Sequence, residues 1–130
     1  MVSKKTQSRM DLAKKVALRG TYGGFKHGAL LLRGGKVINS SCNKNNHCAF
    51  GSRFRQRDEG SPTLHAEIGC VLNLDRSTTE GATMLVVRVS KTGEYRMSKP
   101  CSMCRAVLKH VGIKKVYYTD NNGELKSYKN

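Results

Sequence analysis

The 130-residue sequence contains no apolar run approaching the ~20 residues needed to cross a bilayer. Residues 1–15 carry scattered Lys and Arg without a continuous apolar stretch, which excludes a secretory signal there and leads us to expect an intracellular protein, cytoplasmic or nuclear. With two prolines there is no proline-rich linker, and no serine-rich linker or internal repeat appears either. Acidic residues are scarce, nine against 24 Lys and Arg, for a formal charge of +15. No block of five like charges marks a detachable tail. An apolar content of 38 % with 25 % charged residues suits a globular protein and excludes a collagen-like or low-complexity one. The length predicts one domain over 1–130, with 1–10 as a flexible basic N-terminus and a core that buries roughly two-thirds of the chain's surface.

The positive surplus is spread along the chain, with 13 basic and 3 acidic residues in 1–60 and 11 and 6 in 61–130. Such a charge attracts polyanions by releasing their counterions, so a nucleotide or nucleic acid is the expected partner and a membrane is not. Five cysteines, an odd number without a secretory signal, point away from a disulfide framework and towards metal or thiol chemistry.

Apolar spacing predicts a helix over Asp11–Arg19, closed by Gly20. A hairpin follows over His27–Ser41, turning at Gly34-Gly35. Residues 42–61 lack a period and read as one long loop, a feature that is usually functional inside a compact domain. The second half predicts a helix over His65–Leu74 and a strand over Ala82–Val89. The run Met84-Leu85-Val86-Val87 implies that this strand is buried on both faces. A helix over Cys101–Val111, a strand over Lys115–Thr119 and an antiparallel edge strand over Leu125–Tyr128 complete the order, with Lys126 and Lys129 guarding the edge. This is a helix-flanked sheet.

The chemistry lies in His65-Ala66-Glu67 and Pro100-Cys101-Ser102-Met103-Cys104. Cysteines at i and i+3 of a helix start share a face, and the helix N-terminus and a metal both favour their thiolates. Pro100 suits the turn into that helix. His65 offers a third ligand from another helix start. Three protein ligands leave a zinc ion one open tetrahedral position, the mark of a catalytic site, where zinc lowers the pKa of water towards 7. Glu67 could move that water's protons without binding the metal.

The pattern resembles the cytidine/deoxycytidylate deaminase superfamily, in the histidine-ligand branch that also holds APOBEC-type and tRNA adenosine deaminases. The resemblance covers roughly residues 10–130. It implies a three-layer α-β-α fold with a mixed sheet of about five strands and the zinc site at the N-termini of two helices. It further implies one catalytic Zn2+ per chain on His65, Cys101 and Cys104, with Glu67 as proton shuttle. Asn43, Ala66, Ser98 and Pro100 would contact substrate, with Asn39 as a competitor to Asn43. The implied reaction is hydrolytic deamination of cytosine to uracil with release of ammonia. An antiparallel last strand goes with the cytidine-type enzymes, whereas the tRNA adenosine and deoxycytidylate types cross over through a helix to a parallel strand.

Other readings stay open. Cys42, Cys48, Cys101 and Cys104 could form a structural zinc site in a non-catalytic nucleic-acid-binding module, but that would leave Glu67 idle. Cys42, His47 and Cys48 could hold a second metal, or be separate loop residues. Cys70 reads as a small buried hydrophobe, His27 and His110 as surface or helix-end residues, and Met97 and Met103 as gap fillers in the core. Arg53, Phe54, Arg55 and Arg57 interleave an aromatic ring with guanidinium groups, suiting either a grip on single strands or a solvated loop. Tyr118 and Asp120 are further nucleic-acid candidates, and alternation predicts that either Tyr117 or Tyr118 is simply buried. Together these lean towards cytosine in single-stranded DNA or RNA, ahead of free cytidine or dCMP and then tRNA adenosine.

Overall fold

The computed structural model describes residues 3–19, 26–47 and 63–130. Helix α1 (Lys4–Ala17) is capped by Ser3, whose hydroxyl accepts the Thr6 N–H at 3.1 Å. That bond satisfies one of the donors a helix start leaves unpaired. The helix thus begins well before Asp11, and residues 4–10 belong to it rather than to a loose basic tail. Met10 is the reason: it is buried one turn ahead of Ala13 and extends the apolar stripe of Val16 and Ala17.

Strands β1 (Lys26–Arg33) and β2 (Lys36–Cys42) form the expected hairpin, with both Gly34 and Gly35 at positive φ. A short pairing of β3 (Lys44–His47) with β4 (Thr63–Leu64) makes a second small sheet. The segment expected as one unstructured loop is therefore paired at its ends, and residues 48–62 lie outside the described residues. Helix α2 (Ala66–Val71) is shorter than expected, because Leu72 turns extended and Asn73 adopts a φ of 64°. A single-turn helix, α3 (Arg76–Thr79), precedes β5 (Thr83–Val89). The two-residue strand β6 (Tyr95–Arg96) folds back on β5, and neither α3 nor β6 has enough residues to leave a periodic signal. Helix α4 (Ser102–His110) leads to β7 (Lys115–Thr119) and β8 (Leu125–Lys129).

The main sheet runs β2-β1-β5-β7-β8, with β6 on β5. Among the described residues only β5 and β7 pair in parallel, joined through α4, and β8 returns antiparallel as expected. Alternation along the strands divides the core in two. Leu30, Leu32, Leu85 and Val87 meet α1 on one face, and Ala29, Leu31, Met84 and Val86 meet α2 and α4 on the other. This is a three-layer α-β-α arrangement around a mixed sheet. Gly28 brings α1 directly onto the backbone of β1, since a Cβ there would collide with the Ala13 carbonyl oxygen. Among the described residues no helix is long and apolar enough to cross a membrane.

Candidate active site

His65 and Cys101 occupy the N-cap positions of α2 and α4, and Cys104 sits in the first turn of α4. Pro100 is buried one residue before its N-cap, fixing the chain's entry to α4. His65 Nδ1 lies 3.2 Å from Cys104 Sγ and 3.8 Å from Cys101 Sγ. All three donor atoms fall within 4.8 Å of one another. Zinc bonds of ~2.1 Å to nitrogen and ~2.3 Å to sulfur, at a tetrahedral angle, require N···S edges of about 3.6 Å. The observed pair of distances brackets that value, so these residues fit one zinc ion and leave it an open position. Cys42 does not join them. It packs with the α1-side core, whereas Cys104 belongs to the core on the opposite face of the sheet. The structural site built on Cys42 and Cys48 is thereby corrected, and Cys48 lies outside the described residues.

The pair of thiols shares its charge unequally. A hydrogen bond from Cys104 chiefly, with His65 helping against burial, pulls Cys101 down to about 4. The Cys101 sulfur and burial push Cys104 well up. Glu67 is 2 % exposed, and its Oε1 has no hydrogen-bond partner among the described residues. Burial raises its pKa, with His65 opposing. A buried carboxylate oxygen without a partner is uncommon in a folded protein and is the kind of group a bound molecule satisfies.

The other expected site residues divide by where they spend their polar atoms. Ala66 is fully buried as the first residue of α2, where its N–H lies among those the helix cannot pair. Asn43 Oδ1 accepts the His27 N–H at 2.9 Å, and Asn39 Nδ2 donates to the Cys70 carbonyl at 2.9 Å. Both amides thus tie β2 and its exit to neighbouring elements. Ser98 is buried, and its hydroxyl donates to Val86 O and accepts the Thr119 N–H at 2.7 Å. Its side chain joins the approach to α4 to the middle of β5 and the end of β7. Asp120 is likewise a turn residue: Oδ1 accepts from Asn122 and Glu124 N–H, and it is 7 % exposed. Tyr117 and Tyr118 are both half-buried, so the expectation that one is simply buried fails. The reason is that β7 lies next to the edge and each ring is only partly covered on its own face. Arg53, Phe54, Arg55 and Arg57 lie outside the described residues.

Among the remaining residues, Cys70 is buried and donates its thiol to Ala29 O, as a small core residue does. Met103 fills the core, but Met97 is 40 % exposed, because the segment after β6 leaves the sheet. His110 is exposed at the end of α4. His27 is half-buried on β1. Burial first, then Arg88 and His65, push its pKa down to about 4. Its neutral ring is therefore favoured in the fold, while the unfolded ring takes up a proton near pH 6.5. Between those values the unfolded chain binds more protons, so stability is expected to fall as pH drops from 6.5 to 4, by about 3 kcal/mol in full. Urea unfolding at pH 7, 5.5 and 4.5 should show a flatter profile for His27→Gln. An unchanged slope would remove His27 from this role.

Sequence reasoning overlooked Tyr128, Arg105 and Lys99. Tyr128 comes from the edge strand β8, yet its hydroxyl oxygen is buried beneath the Arg105 guanidinium, 4.9 Å from the ring centroid. Nothing local marks that meeting, which depends on the register Val116↔Tyr128.

Residues 3–120 match the family described as the cytidine and deoxycytidylate deaminase zinc-binding region. No curated protein matches the sequence. Among solved structures, the chain resembles a dCMP deaminase from the cyanophage S-TIM5, with a TM-score of 0.64 and 18 % identity over 92 % of this chain and 86 % of that one. A cytidine deaminase from Burkholderia pseudomallei gives 0.62 and 20 % identity over 98 % and 93 %. The RibD protein of Acinetobacter baumannii gives 0.57 and 20 % identity over 90 % of this chain, but only 28 % of that one. At these identities the likeness is one of fold.

Proposed function

This chain belongs to the cytidine and deoxycytidylate deaminase family, and from that premise we propose that it deaminates cytosine in single-stranded DNA or RNA. It is a hydrolytic deaminase, and His65, Cys101 and Cys104 fit its single catalytic zinc. The reaction exchanges the exocyclic amine of the base for an oxygen from water and releases ammonia. Zinc, when bound, supplies the Lewis acidity that makes water nucleophilic at neutral pH.

The protein's own part in the chemistry falls to Glu67. Its burial favours the protonated carboxyl, so a proton taken from water would be held at the carboxylate until the ring nitrogen or the leaving amine accepts it. The observation that carries this reading is the unpartnered Glu67 Oε1, buried beside the three convergent donors. The Ala66 N–H, unused by its helix, would orient the base.

Two features support cytosine in a polymer. The antiparallel β8 goes with the cytidine type within the resemblance. A charge of +15 exceeds what a single phosphate calls for. Free cytidine or deoxycytidylate is the second reading, supported by the family's own description. Cytidine, dCMP, single-stranded DNA, RNA and adenosine-containing RNA should be assayed for ammonia at 50 and 200 mM salt. We expect turnover of the cytosine polymers that collapses at the higher salt. Turnover of monomers alone would overturn the polymer reading, and turnover of adenosine the choice of base.

A further inference from the structure

From Tyr95 to Thr119 the sequence has six Lys and Arg and no Asp or Glu. Two of these cations flank the zinc-binding cysteines, Lys99 just before Cys101 and Arg105 directly after Cys104. They converge on one ring: Lys99 Nζ lies 6.0 Å and the Arg105 guanidinium carbon 4.9 Å from the Tyr128 centroid. Tyr118 closes the cluster, its ring tilted against Tyr128 at 6.2 Å. Tyr128 is therefore not free to stack on a base. It braces two like charges at the edge of the site.

Both Lys99 and Arg105 are exposed, and neither takes part in any of the ion pairs among the described residues. Two exposed cations gathered around one ring without a counter-charge raise the local positive potential, which an anion bound at this face relieves. The positive surface continues away from the site. Lys109 stands one turn beyond Arg105 on α4, and with Lys129 at the end of β8 and Asn130 beyond it they line an open depression.

We propose that Lys99 and Arg105 hold the phosphate beside the target base, and that Lys109 and Lys129 carry the phosphates after it. The outer face of α4 is then a track for a single nucleic-acid strand that starts at the zinc site. This assignment rests on the polymer reading above. It gives the dispersed positive charge a direction, and it assigns the bases of the strand no partner on this face.

The test uses the zinc-loaded protein in a Glu67→Gln background, with a fluorescent single-stranded oligonucleotide carrying one cytosine. Its affinity is read by anisotropy at 50 and 200 mM salt. K99A/R105A should weaken binding at 50 mM about tenfold, the size expected for charge-assisted bonds to one phosphate. Arg105→Lys should recover part of that loss. K109A/K129A should remove two phosphate contacts, so the change in affinity between the two salts should shrink about sevenfold. In the active background, K109A/K129A should lower kcat/KM for the oligonucleotide, chiefly through KM. If wild type binds and deaminates the oligonucleotide and the variants match it at both salts, the track is overturned and the polymer reading stands. If wild type neither binds nor deaminates the oligonucleotide yet turns over cytidine or dCMP, the polymer reading fails and the track with it.

Discussion

Glu67→Gln is expected to lower kcat by about 10²- to 10⁴-fold, the range for loss of a positioned proton-transfer group, while zinc content stays at one per chain. The side chain keeps its volume in a site where it is 2 % exposed, so little repacking accompanies the change. What is lost is the ability to hold a proton and give it up. Glutamine cannot accept a proton from water, whatever its geometry. Ammonia release, metal content and melting temperature measured together would check this. Near wild-type turnover would show that another group moves the protons.

Removing the metal should have the second large effect. Dialysis against a zinc chelator is expected to abolish turnover and lower the melting temperature, with both restored by one equivalent of zinc. A ligand present at a thousand times its Kd stabilises the folded state by about 4 kcal/mol, which for a domain of this size corresponds to on the order of 10 °C. Cys104→Ser should imitate the chelator, since Cys104 is fully buried and Cys70, the other buried thiol on its face of the sheet, lies outside the donor cluster. Cys42→Ser should leave the zinc content at one, because Cys42 packs with the opposite core. Metal analysis and calorimetry of the two variants separate these outcomes. Full zinc content in Cys104→Ser would overturn the ligand assignment.

Much of this was legible before any coordinates. Strand β5 announces itself as a continuous apolar run, and the Gly34-Gly35 hairpin as a turn between apolar segments, because each signal lies within a few residues. The cysteine pair is equally local, since i and i+3 at a helix start share one face. The start of α1 was missed for the opposite reason. Lys4 to Arg9 is polar on every face, and only Met10, resting on the sheet, shows that the helix continues through them. The hydrogen bonds of Ser98 and Asp120 are not legible in the sequence, because their partners, Thr119 and the turn at Asn122–Glu124, are fixed by how strands end rather than by residue type.

The sequence by itself determined the donor chemistry: two thiols one helical turn apart, an imidazole, and a carboxyl two residues beyond it. Those identities set the metal and the reaction class, since they depend only on what each side chain can bind or release. Tertiary structure decided which atoms meet. His65 reaches Cys101 and Cys104 across 36 and 39 residues, through Nδ1 rather than Nε2, because α2 and α4 begin side by side on one face of the sheet. It likewise brought Tyr128 from an edge strand under Lys99 and Arg105. Contacts of that range depend on register and layer packing, which no short stretch of sequence encodes.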